Sequence, residues 1–69
     1  MTSFGENLKY LRLKKGYTQE KLAHELNVSH QSISKWETDT SLPNISYCVP
    51  LAKALDCSLN ELFQVKVIS

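Results

Sequence analysis

The sequence predicts an all-α fold, one compact domain of five short helices. Leucines recur at helical spacing, only two glycines and two prolines interrupt the chain, and the apolar segments have helix start and stop residues at their ends. A chain of 69 residues suffices for one domain with a thin core and is too short for two. We therefore assign residues 1–69 to a single domain with its core at about residues 4–63.

Composition argues against several other classes of protein. Hydrophobic residues make up 42% of the chain and charged residues 22%, as in folded soluble proteins and unlike disordered ones. The chain has no apolar run of membrane-spanning length and no signal segment, so we expect a cytoplasmic protein without a membrane partner. The net charge of +1 neither indicates nor excludes a nucleic-acid partner.

The cysteines and histidines do not suggest a reactive or metal site. Cys48 and Cys57 are nine residues apart without a CxxC motif, which favours reduced thiols over a disulfide or metal site. His24 and His30 fall on separate predicted helices without acidic or thiol partners at ligand spacing. The sequence also has no catalytic triad pattern and no glycine-rich phosphate loop, so we expect neither an enzyme, a cofactor nor a small-molecule ligand.

The first two helices have recognisable limits. A periodic segment from about Phe4 to Lys15 is followed by Gly16, a residue type that often ends helices. The second helix is capped by Thr18 and runs to about Leu26. The inward positions of both helices are apolar: Phe4, Leu8, Leu11, Leu22, Ala23 and Leu26.

The third helix follows so closely that it must cross the second at a steep angle. Only Asn27 and Val28 separate them, and Ser29 caps the third helix, which is predicted to end near Thr38. This arrangement is a helix-turn-helix. Asn27 stands where such turns often have glycine, and asparagine tolerates the left-handed backbone conformation.

Two more helices are predicted. Asn44 caps the fourth, in which Pro50 lacks an N–H and crowds the carbonyl of Ser46, so either the first turn is distorted or the regular helix begins later. Its apolar positions are Ile45, Cys48, Leu51, Ala52 and Leu55. Ser58 begins a capping box that opens a short fifth helix through Phe63. The tail, residues 64–69, alternates as a strand does, and predicts either a short strand or a frayed end.

The outward face of the third helix carries short or flexible hydrogen-bonding side chains. At about 100° per residue, the following lie within about 140° of one another: His30, Gln31, Ser34, Lys35 and Thr38. Such side chains suit the DNA major groove, where glutamine pairs with adenine and lysine or histidine reaches guanine. Solvated helix faces are polar too, but the absence of an acid before Glu37 and the preceding tight turn favour DNA.

Five segments follow one another in a known order within a match that covers about residues 7–63: TQEKLA at 18–23, VSHQSISKWE at 28–37, Pro43, LAKAL at 51–55 and SLNEL at 58–62. In these segments the chain resembles the lambda-repressor-like, Cro-type helix-turn-helix family, the XRE-like transcriptional regulators. The resemblance implies a bacterial or phage-encoded regulator, most simply a repressor, that binds double-stranded DNA in a sequence-specific manner.

The resemblance also implies roles for individual residues. The expected base contacts are His30, Gln31, Ser34 and Lys35, and the expected phosphate contacts are Gln19, Ser29, Ser32, Thr38 and Asn44. Arg12 and Glu37 match a largely buried structural ion pair of the family. Asp39 stands where the family often has glycine, and aspartate can adopt the left-handed conformation. The low net charge implies modest non-specific affinity for DNA.

One such domain reads half a site, so we expect a homodimer on a palindromic operator. Candidate dimer surfaces are the fifth helix, with Leu59 and Phe63, and the tail, with Val65, Val67 and Ile68. An alternative function uses the same fold to bind a protein, as an antitoxin or an anti-repressor partner does.

Overall fold

The computed structural model describes residues 3–63, which form five α-helices and no strand. The helices are α1 (Phe4–Lys15), α2 (Gln19–Leu26), α3 (His30–Glu37), α4 (Ile45–Ala54) and α5 (Leu59–Leu62). The predicted all-α fold is confirmed, whereas the predicted tail strand lies outside the described residues. Within residues 3–63, no helix combines the length and apolarity that crossing a membrane requires.

Each helix begins at a side chain whose oxygen accepts a hydrogen bond from a backbone N–H of the first turn: Ser3, Thr18, Ser29, Asn44 and Ser58. The four caps predicted from the sequence are confirmed. Ser3 adds a fifth, in a capping box with Glu6 that has the Ser-x-x-Glu spacing of Ser58 and Glu61. Hydrogen bonds from Ser58 lower the pKa of Glu61, so this box stays charged until the solution becomes acidic.

The core is one cluster, to which all five helices contribute: Phe4, Leu8, Leu11, Leu22, Ala23, Leu26, Ile33, Trp36, Leu51, Ala52, Leu55 and Leu62. These include every predicted inward residue of α1 and α2. Of the apolar positions of α4, Ile45 does not join this core and is 86% exposed. Ile45 is the first residue of the helix and lines an open apolar groove instead of the core.

Pro50 lies inside α4 without delaying the start of the helix. The helix begins directly after Asn44, so of the two alternatives the structure has the distorted first turn and not the later start. Its first turn is tighter than an α-turn, because the Tyr47 N–H donates to the Asn44 carbonyl at 2.8 Å, three residues back. The Asn44 side-chain oxygen accepts from the Ser46 N–H at 2.9 Å.

The first turn of α1 and the end of α3 meet backbone to backbone. A Cβ added to Gly5 would lie 2.5 Å from the carbonyl oxygen of Glu37 and 2.6 Å from that of Trp36. The Gly5 N–H donates to the carboxylate of Asp39 at 2.9 Å. Asp39 adopts a left-handed conformation with φ of 59°. This junction holds α3 in place relative to α1.

The turn between α2 and α3 is closed by left-handed Asn27, whose φ is 57°. The N–H of Val28 donates to the carbonyl of Ala23 at 3.0 Å, which completes the end of α2. Only three residues, 27–29, separate α2 from α3. Ile33 and Trp36 of α3 are buried, so the opposite side of the helix faces solvent.

Candidate nucleic-acid interface

The outward face of α3 is open to solvent. His30, Gln31 and Lys35 are exposed, and Ser34 is half-buried. Opposite them, Ile33 is fully buried and Trp36 is 5% exposed, with its ring tilted against that of Tyr47 at 5.6 Å between centroids. The four predicted base-contact residues therefore form one accessible strip of hydrogen-bonding groups that contains a single formal positive charge, on Lys35.

The predicted phosphate-contact residues lie at the ends of helices. The Ser29 hydroxyl accepts from the Ser32 N–H at 3.3 Å, and the two hydroxyl oxygens lie 3.0 Å apart. The Thr38 hydroxyl donates to the carbonyl of Ser34 at 2.9 Å. Asn44 is exposed and caps α4, so its hydrogen bond lies within its own helix and does not join it to the α3 strip.

A buried ion pair joins the last residue of α3 to α1. The Arg12 Nε donates to Glu37 Oε2 at 2.5 Å and its Nη2 donates to Oε1 at 3.1 Å, with only 8% and 3% of the two side chains exposed. The remaining Arg12 nitrogen, Nη1, donates to the carbonyl of Tyr17 at 2.8 Å. The structure thus brings together the pair implied by the family resemblance, and both charges are well hydrogen-bonded.

Gln19 connects this pair with the exposed face. Its Nε2 donates to Glu37 Oε1 at 2.9 Å, and its Oε1 lies 2.8 Å from His30 Nε2. Sequence analysis singled out Gln19 and His30 separately and missed their contact. The available signal was positional, since each is the first residue of its helix and the short turn brings the two helix starts together.

A second exposed surface is chemically different. An open groove of about 480 Å³ lies between the loop after α3 and helices α4 and α5. We call it the apolar groove, and it is lined by Leu42, Pro43, Ile45, Cys48, Val49, Leu59 and Phe63. No lining residue is charged. Phe63 stacks on Phe4 with 5.2 Å between ring centroids, so the groove ends against the core.

The two cysteines lie in different surroundings, since Cys48 is buried and Cys57 is half-buried. Cys48 and Cys57 are free thiols. Burial, and then the nearby carboxylates of Glu61 and Asp56, raise the pKa of the Cys57 thiol, which keeps it protonated and weakly nucleophilic at neutral pH. Among residues 3–63, no three His, Cys, Asp or Glu side chains cluster as ligands of a metal ion would.

Comparison with protein families places residues 8–62 within a helix-turn-helix family. The chain is 41% identical over 59 residues to the HTH-type transcriptional activator BcrR of Enterococcus faecalis, an alignment covering 86% of this chain and 29% of BcrR. It is 39% identical over 56 residues to the HTH-type transcriptional regulator DicA of Escherichia coli, covering 81% of this chain and 42% of DicA. The chain thus spans less than half the length of either relative.

Solved structures share this fold. The P22 c2 repressor in complex with a synthetic operator superposes with a TM-score of 0.86 at 33% identity, covering 93% of this chain and 97% of that one. The restriction-modification controller protein C.AhdI from Aeromonas hydrophila gives 0.81 at 33% identity, with coverage of 87% and 91%. SinR in complex with DNA gives 0.78 at 28% identity, with coverage of 86% and 95%.

Proposed function

Since this chain belongs to the lambda-repressor-like, Cro-type helix-turn-helix family of transcriptional regulators, we propose that it binds a specific double-stranded DNA sequence with α3 in the major groove. The observation that carries the proposal is the solvent-open strip of His30, Gln31, Ser34 and Lys35, on a helix whose last residue is held by a buried, hydrogen-bonded ion pair. A rigid support of this kind lets short side chains reach base edges without a large ordering cost.

The strip offers complementary chemistry for base edges. Gln31 can donate and accept at once, which suits the paired N6 and N7 groups of adenine. Lys35 supplies a cation for guanine acceptors or for a phosphate. Ser34 is short and half-buried, so it allows the helix backbone to approach the bases closely.

The proposed phosphate contacts flank this strip. Gln19, Ser29 and Ser32 lie at the N-terminal ends of α2 and α3, where unpaired backbone N–H groups and the helix dipole favour an anion. Thr38 lies after the end of α3, and Asn44 precedes α4. These contacts position the domain on the duplex and carry little sequence information.

We further propose that the chain acts as a homodimer on a palindromic operator and represses by occupying it. The apolar groove supports a self-association surface, because a patch without charged lining residues can face its own copy without repulsion. Its exposed side chains include Ile45, Leu59 and Phe63, at 86%, 44% and 45% exposure. An apolar surface of this kind on a small domain is typical of a protein contact.

The apolar groove also favours the second candidate function, in which the same fold binds another protein. One neighbour of this fold, with a TM-score of 0.78 at 28% identity, comes from a complex of SinR protein with SinI protein. A partner with an apolar helix or strand would compete with dimerisation for this groove. If this second function holds, the chain binds its protein partner and does not bind a DNA duplex.

The proposal is tested by selecting bound duplexes from a random pool and measuring the affinity of the selected sequence at several salt concentrations. We expect a two-fold symmetric consensus and an affinity that falls steeply with salt. A pool that shows no enriched sequence, or an affinity that does not depend on salt, would contradict it. A symmetric consensus with a fixed half-site spacing would also report the dimer.

A further inference from the structure

A chain of hydrogen bonds runs from the core to the solvent-exposed edge of α3. Arg12 holds the carboxylate of Glu37, Glu37 Oε1 lies 2.9 Å from Gln19 Nε2, and Gln19 Oε1 lies 2.8 Å from His30 Nε2. The first members are buried, whereas the His30 side chain is 46% exposed. These hydrogen bonds therefore link a buried charge to the orientation of a side chain on the proposed DNA-binding face.

The carboxylate determines which way the Gln19 amide points. Both oxygens of the Glu37 carboxylate accept hydrogen bonds from Arg12, and a carboxylate in this pairing can only accept. If the Gln19 amide were rotated by half a turn, its oxygen would face the carboxylate oxygen at hydrogen-bond distance, and two acceptors would repel. The amide nitrogen must therefore face Glu37, and the amide oxygen must face His30.

The amide oxygen in turn determines the tautomer of His30. An amide oxygen can only accept, so the His30 ring nitrogen facing it, Nε2, must carry the proton. In the neutral ring the other nitrogen, Nδ1, is then an acceptor. Among residues 3–63, Gln19 is the hydrogen-bond partner of this ring, and the Glu20 carboxylate lies 3.9 Å from Nε2.

We propose that Glu37, acting through Gln19, fixes His30 in the Nε2–H tautomer and so makes Nδ1 a hydrogen-bond acceptor toward DNA. This inference rests on the proposed function. In the major groove the groups that donate to such an acceptor are the amino groups of adenine and cytosine. His30 then selects an amino-bearing base and disfavours guanine and thymine at the same position, while Gln19 and Glu37 act as positioning residues.

The first experiment measures the tautomer directly, without DNA. The ring nitrogen chemical shifts of ¹⁵N-labelled protein at about pH 8, where imidazole is neutral, distinguish the two tautomers. We expect His30 to show one tautomer, with the proton on Nε2. His24, exposed on α2, serves as the internal control and should show a mixture.

The variant Gln19→Met keeps the length of the side chain and removes both hydrogen bonds. We expect it to convert His30 to a mixture like that of His24. A mixture at His30 in the unaltered protein, or a single tautomer that survives in Gln19→Met, would overturn the inference. Should the variant not fold, the contrast between His30 and His24 in the unaltered protein decides the question alone.

The second experiment uses the selected duplex with each base in turn at every position of the half-site. The position read by His30 is the one whose preference disappears in His30→Ala. There we expect adenine or cytosine to be favoured by about tenfold over guanine at about pH 8, and Gln19→Met to reduce that ratio. A preference for guanine at that position would refute the inference. Failure to find any selected duplex would refute the proposed function and leave the tautomer measurement standing.

Discussion

The outward face of α3 and the apolar groove are both exposed, yet they are built in opposite ways. The α3 strip consists of polar side chains on a helix that ends in a buried ion pair, whereas the apolar groove is lined by uncharged, mainly aliphatic and aromatic side chains. Removing one member of the ion pair leaves the other charge buried without a partner. Removing a side chain from the groove only reduces the apolar surface that is exposed to solvent. The comparison predicts that substitutions in the ion pair lower the stability of the fold strongly, whereas substitutions in the groove weaken dimerisation.

The largest expected effect is at the ion pair. Glu37→Gln leaves the buried guanidinium of Arg12 without an opposing charge, and we expect the free energy of unfolding to fall by about 3–5 kcal/mol. Urea denaturation measures this loss. The matched control is Glu25→Gln, an exposed residue of α2, which should change stability by less than about 0.5 kcal/mol. Equal losses in the two variants would mean that the pair does not support α3.

The next effect is at the junction of α1 and α3. Gly5→Ala places a methyl group against the carbonyl oxygens of Trp36 and Glu37, and relieving that clash should cost about 1–3 kcal/mol of stability. Gly16→Ala is the control, because its φ of 82° is strained for alanine while nothing lies within 4 Å of the added methyl group. That strain alone should cost about 1 kcal/mol. A smaller loss in Gly5→Ala than in Gly16→Ala would contradict the close contact.

On the strip itself, Gln31→Ala should leave folding almost unchanged and weaken binding to the selected duplex by about 1–3 kcal/mol. The loss of sequence preference should be confined to one base pair, so that duplexes carrying each of the four base pairs at that position bind with equal affinity. Fluorescence anisotropy with such a series of duplexes measures this. Asn60→Ala, exposed on α5, is the control and should bind every duplex as the unaltered protein does. An unchanged preference in Gln31→Ala would mean that α3 is not the reading helix.

The smallest effect on folding is expected in the apolar groove. Ile45 is 86% exposed, so Ile45→Lys should change stability by less than about 0.5 kcal/mol. Because a dimer would bury the new charge, sedimentation equilibrium should show dimerisation weakened by at least about tenfold. His24→Lys adds a charge on α2 as the control. Equal dimerisation of the two variants would place the dimer contact elsewhere.

Local features of the fold were predictable because they depend on neighbouring residues. Thr18, Ser29 and Ser58 cap helices through bonds that span only three residues. The left-handed turn at Asn27 follows from what asparagine tolerates and from the short link between two helices. The start of α4 was less predictable, since Pro50 allowed either a distorted first turn or a later start, and only the structure shows that the helix begins at once with a tighter first turn.

The site was predictable as a set of residues but not as a network. Helical periodicity separates the exposed strip of α3 from Ile33 and Trp36. It does not reveal that Gln19 lies between Glu37 and His30, because that contact depends on the crossing angle of α2 and α3. The approach at Gly5 was missed for a similar reason, since residues more than thirty positions apart meet there.

The sequence by itself determined the helices, their caps, the helix-turn-helix and the polar character of α3, because these features arise from short-range spacing and from the preferences of single residues. Only the tertiary structure decided that Ile45 faces solvent and that Asp39 receives the Gly5 N–H. It also decided that a buried carboxylate orients Gln19 toward His30. The reason is physical: the direction of a hydrogen bond between helices depends on how they pack, and packing is a property of the whole core.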